Sequence, residues 1–85
     1  MELKLTTKRA LEYQAKTGKD IIAFLQEVSR TNTFTIQEMV DLFSAMGDGY
    51  TVEVFDAWDA PFEVKAKELI LAVKAYVQGN SSKNQ

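Results

Sequence analysis

The segment FTIQEMVDLFSAMGDGYT, Phe34 to Thr51, carries both ends of one helix. Its start is a capping box: the Thr35 hydroxyl is placed to accept from the Glu38 amide while the Glu38 carboxylate reaches back to the Thr35 amide. Phe34 and Met39 hold the two staple positions around that box. Gly47-Asp48-Gly49 stops the helix. Between these ends, Met39, Val40, Leu42, Phe43 and Met46 make it apolar on three sides. A helix that is apolar nearly all round belongs at the centre of its domain.

The flanking sequence supplies helices to surround it. Upstream, ELKLT alternates apolar and polar residues, so Leu3 and Leu5 share one face of a short strand or extended arm. Thr6 and Thr7 offer caps for a helix through KRALEYQAK, with Leu11 and Ala15 on its inner face and Gly18 at its end. Asp20 caps IIAFLQEVSR, where Ile21, Phe24, Leu25 and Val28 follow the i, i+3, i+4, i+7 spacing of an amphipathic helix.

Downstream, Thr51 caps VEVFDAWD, with Val52, Phe55 and Trp58 on one face and Val54 beside it. Asp59 as cap and Pro61 in the first turn open a last helix that runs to about Gln78. Its inward stripe is Phe62, Ala66, Leu69, Ile70, Val73 and Val77. Trp58 and Phe62 are expected to pack across the corner on each other or on the core. The expected architecture is all-α: one domain over residues 1–79, about five helices, then a disordered polar tail over 80–85.

Composition removes several classes of function. With no cysteine and no histidine, the chain lacks thiolate chemistry, the usual general base and the commonest metal ligand. No apolar run is long enough to span a bilayer, and MELKLTTKRA lacks the core of a signal peptide. The net charge of −2 conceals an uneven distribution. Residues 1–30 carry six bases and four acids, residues 31–63 seven acids and no base, and residues 64–85 four bases and one acid. The middle third is an acidic block.

Known site patterns fit poorly. Placing Gly47 or Gly49 sixth in a calcium loop leaves wrong residues at the ligand positions. Ser44 lies late in a helix, so it does not match the carrier serine of an acyl carrier protein. The first two helices have a helix–turn–helix outline, but the second opens on Asp20 and shows no arginine before Arg30. Glu53, Asp56, Asp59 and Glu63 recur at helical spacing without a second polar cluster, so they read as a solvated face or an acidic docking surface. No enzyme activity, cofactor, metal, membrane or nucleic-acid partner is expected.

The run LKLTTKRALEYQAKTGKDIIAFLQ, the apolar helix, the GDG break and TVEVFDAWD before a long last helix together resemble the tail assembly chaperones of long-tailed bacteriophages and prophages. The matching pieces are Leu5–Thr7, Leu11–Glu12, the TGK turn at Thr17–Lys19 and the apolar run Ile21–Leu25. The resemblance implies a non-catalytic protein of the host cytoplasm, absent from the mature virion. It would bind the tape-measure protein and recruit tail-tube protein subunits. It also implies a longer product made by frameshifting near the gene's end, and Ser82-Lys83-Asn84 permits a slippery A-AAA-AAC run. Many such chaperones carry more sequence before the LKLTT equivalent, which puts the role of the first strand in doubt.

For a helical apolar client, Val40, Phe43 and Met46 are candidates to line a groove or a self-association face, with core packing as the alternative. Tyr50, Glu53, Asp56 and Asp59 are the candidate charged face, toward a basic client or another copy in a homo-oligomer. Two other readings stand beside this one. The chain could be a generic small helical interaction or regulatory domain that self-associates, or a helix–turn–helix DNA regulator.

Overall fold

The computed structural model describes residues 2–79. They form α1 (Thr7–Thr17), α2 (Ile21–Thr31), α3 (Ile36–Ser44), α4 (Val52–Ala57) and α5 (Phe62–Gln78), with no strand among the described residues. The chain is all-α. Residues 2–6 carry no regular secondary structure; the Glu2 carbonyl accepts from the Tyr50 hydroxyl, and Leu5 is buried in the core. The tail at 80–85 lies outside the described residues.

Local chemistry sets the helix starts. Thr6, Asp20, Thr35 and Thr51 each accept an amide hydrogen bond from the residue three positions on, satisfying one of the orphan donors of a helix start. At Thr35 the capping box is complete: the Thr35 amide donates to Glu38 Oε1 at 2.7 Å, and the Glu38 amide to Thr35 Oγ1 at 3.1 Å. Gly18 and Gly79 end α1 and α5 in the left-handed region, where a Cβ would be strained.

The fifth helix starts differently from the expectation. Pro61, not Asp59, is the N-cap residue, and no side chain caps it. Proline disfavours helical backbone in the residue before it, so the helix cannot begin early enough to use the Asp59 carboxylate. The Pro61 carbonyl instead accepts from Val64 and Lys65, each at 3.0 Å.

Helix α3 touches α1, α4 and α5, while α2 touches α1 and α5. Four helices thus close a ring of contacts, α1–α2–α5–α3, with α4 fastened to α3. Met39, Leu42 and Phe43 are wholly buried on α3, which confirms its central place. The α2 stripe Ile21, Phe24, Leu25 and Val28 is buried as expected.

The α5 stripe Phe62, Ala66, Leu69, Ile70 and Val73 and the α4 pair Phe55 and Trp58 face the core as expected; the α1 face and single positions on α4 and α5 depart from the sequence reading. Leu11 is 62% exposed and Ala15 is exposed, while Tyr13 is buried and Ala10 packs against the core. The α1 pattern offers few apolar residues, and the ring with the most surface to bury wins the core. On α4, Val54, Phe55 and Trp58 turn inward and Val52 outward. At 100° per residue Val52 lies more than about 90° from their mean direction. On α5, Tyr76 packs inward in place of Val77, and its hydroxyl shares a 2.6 Å hydrogen bond with Thr7 Oγ1.

Candidate functional site

The corner Phe55-Asp56-Ala57-Trp58-Asp59-Ala60-Pro61-Phe62 is built around rings that converge on Phe43. Phe43 stacks on Tyr50 at 4.7 Å between centroids, meets Phe55 edge-on at 5.3 Å and lies 5.9 Å from Trp58. Phe55 continues the chain to Phe62 at 6.3 Å, and Phe62 to Phe34 at 6.1 Å. Trp58 and Phe62 therefore both pack on the core through Phe55. Each such pair contributes about 0.5–1.5 kcal/mol beyond area burial.

Lysine 65 closes this corner and was not singled out by the sequence. Lys65 is 7% exposed, its Nζ donates to the Phe55 carbonyl at 2.6 Å, and it lies 4.7 Å from the centre of the Phe55 ring. The Phe55 carbonyl also accepts from the Trp58 amide at 3.2 Å, and the Lys65 cation complements the carbonyl end of α4. Lys65 falls beside Ala66, between Phe62 and Leu69 on the apolar stripe. That position is the signal by which it could have been found.

The candidate partner residues divide into two groups. Phe43 is wholly buried in the aromatic hub and lines no surface groove, while Met46, 3% exposed, forms with Tyr50 part of the wall of a small cleft of about 360 Å³ beside Glu2, Lys4, Arg9 and Asp48. Val40 is half-buried and packs against that core. Tyr50 is largely committed to the fold, its ring on Phe43 and its hydroxyl donating to the Glu2 carbonyl at 2.6 Å. Gly47 permits this, because a Cβ there would sit 3.0 Å from the Tyr50 ring. Glu53, Asp56 and Asp59 are exposed and make no ion pair among the described residues.

The acidic block is thus partly neutralised by the fold. Lys19 Nζ lies 2.9 Å from Glu38 Oε2, and Arg9 lies 3.5 Å from Asp48. The Lys19 hydrogen bond, followed by that from the Thr35 amide, holds the Glu38 carboxyl below its ordinary pKa. Asp41 accepts from Gln37 at 2.9 Å. The unpaired acids gather at α4 and the start of α5.

A trough of about 970 Å³ opens between the end of α2 and the outer side of α5. Val28, Phe34, Ile70 and Leu71 supply much of its apolar lining, and Lys67 and Lys74 also border it. The outward residues of α3 do not enter it. The trough therefore puts open apolar surface on α5, while the sequence left Val40, Phe43 and Met46 open between groove and core.

Among the described residues, no group of acids is placed to hold a metal ion. No described helix is long and apolar enough to cross a membrane. Comparison of the chain with protein-family models, with curated proteins and with solved structures finds no match.

Proposed function

We propose that the chain is a non-catalytic binding protein that covers apolar helical surface on a client. More specifically, we propose a tail assembly chaperone of a long-tailed phage or prophage. In the host cytoplasm it would hold the tape-measure protein and bring tail-tube subunits to it, and it would be left out of the finished virion.

The observation that carries the binding reading is the open apolar trough beside α5, with Val64 45% and Leu71 50% exposed at its edge. A helix laid there would bury surface that the monomer leaves in water. The phage assignment draws its support from the resemblance across the first two helices, the GDG break and the segment that follows.

The same exposed residues favour a second reading, a generic helical domain that self-associates. Two measurements separate them. The gene's DNA across codons 80–85 should hold a slippery run, with an overlapping −1 frame and a very long helical coding region downstream. Co-expression with that downstream product should then yield a soluble complex. A client that stays insoluble while this chain remains free would remove the chaperone reading and leave the generic one.

A further inference from the structure

Helix α5 carries two seams. The inner one is Phe62, Ala66, Leu69 and Val73. The outer one is Val64, Lys67, Leu71 and Lys74, at steps of three, four and three residues. Alternating steps of three and four keep a helix in continuous contact with a second helix. The outer seam borders the trough and has no helix over it among the described residues: Val64 and Leu71 are exposed, while α5 also packs on α2 and α3. Lys67 and Lys74 stand two turns apart, about 10.5 Å along the axis, and neither meets an acid among the described residues.

We infer that the trough takes one amphipathic helix of a partner protein, with acidic residues seven positions apart facing Lys67 and Lys74. The partner's apolar seam covers Val64 and Leu71. Glu63, at the amino end of the trough, favours a basic residue there and so fixes the direction in which the helix lies. This inference rests on the client-binding reading and narrows it to the charge pattern of the bound helix.

Charge spacing selects this occupant over a second copy of the chain. No described helix of this protein carries two acids seven positions apart: α1 holds Glu12, α2 Glu27, α3 Glu38 and Asp41, α4 Glu53 and Asp56, and α5 Glu63 and Glu68. A second copy therefore cannot set an acid opposite both lysines from a single helix. A nucleic-acid backbone would answer the lysines but leave Val64 and Leu71 in water.

The probe is a synthetic amphipathic peptide as long as α5, with leucines at heptad spacing and glutamates seven residues apart. A matched peptide carries lysines in place of the glutamates, and binding is read by fluorescence anisotropy. The intact chain should bind the glutamate peptide at least about tenfold more tightly, and added salt should erode the preference. The double variant Lys67→Glu, Lys74→Glu should reverse the preference. Leu71→Asp should weaken both peptides while the helical circular dichroism of the chain is unchanged.

Equal binding of the two peptides, no binding of either, or a preference that the double variant fails to reverse would overturn the inference. So would self-association that Leu71→Asp abolishes, because a second copy would then fill the trough. Co-expression with the downstream client tests the chaperone reading separately. A soluble complex formed without any peptide preference would leave that reading standing and sink only this one.

Discussion

Tyr13 lies in the core with its hydroxyl buried; no well-formed hydrogen bond reaches it among the described residues, although Thr17 partly opposes the rise in its pKa. Burial, then the charge of Asp41, pushes its pKa up to about 12. The unfolded chain ionises first, near pH 10. The contribution of the neutral phenol is therefore complete below pH 10 and is lost as pH rises toward 12. Thermal melts across that range should show a loss of stability that Tyr13→Phe removes. At neutral pH the same variant should be as stable as the parent or gain up to about 2 kcal/mol, since a buried unpaired polar group costs about 1–3 kcal/mol. A clear fall in melting temperature would show instead that the hydroxyl has a partner. Gly47→Ala tests a second aromatic contact: its Cβ would meet the Tyr50 ring at 3.0 Å, so the ring must shift by a few tenths of an ångström against its stack on Phe43, lowering stability by about 1–3 kcal/mol.

At the scale of elements, the start of α3 combines the capping box with the Lys19–Glu38 pair. Thr35→Ala should cost about 1 kcal/mol, read as a melting-temperature drop of about 4–8 °C for a domain of this size. The Glu38 carboxyl has its pKa lowered by folding, so its contribution is present above its ordinary pKa and is lost as pH falls through the depressed value. Glu38→Gln should flatten that part of an acid titration followed by circular dichroism. An unchanged profile would place the acid sensitivity in other carboxylates. The boundary of α3 was legible because its donors and acceptors lie within four residues of each other. The start of α5 was less so: Asp59 has the right side chain for a cap, but Pro61 decides where helical backbone may begin.

For the whole molecule, Phe43 is where α3, α4 and the Gly47–Tyr50 turn meet. A domain of this length has about 4–13 kcal/mol of stability in all. Phe43→Ala should cost about 3–5 kcal/mol and leave a chain with little or no cooperative melt. Val52→Ala, at an outward position on α4, should shift stability by less than about 0.5 kcal/mol. Denaturant unfolding of the two variants checks both values. A mild Phe43→Ala would mean that the ring hub can collapse around the lost side chain. The core placement of Phe43, which the sequence left open between groove and core, follows from this hub. Its position on α3 is the same in either case, and only the arrival of Tyr50, Phe55 and Trp58 covers it.

The amino-acid sequence by itself determined the all-α class, the order of the helices, most of their caps and the acidic middle block. Caps are satisfied by neighbours in the chain, and the strong periodicity of α2 leaves only one face to bury. Tertiary structure alone decided which face of α1 turns inward, that Val54 and Tyr76 pack on the core where Val52 and Val77 do not, that Lys65 is buried on the Phe55 carbonyl, and that the open apolar surface lies on α5. These outcomes depend on which distant side chains compete for one small core. Tyr13 displaces Leu11, Tyr76 displaces Val77, and the aromatic hub closes over α3. The outer seam of α5 stays uncovered because α2 and α3 occupy its other sides.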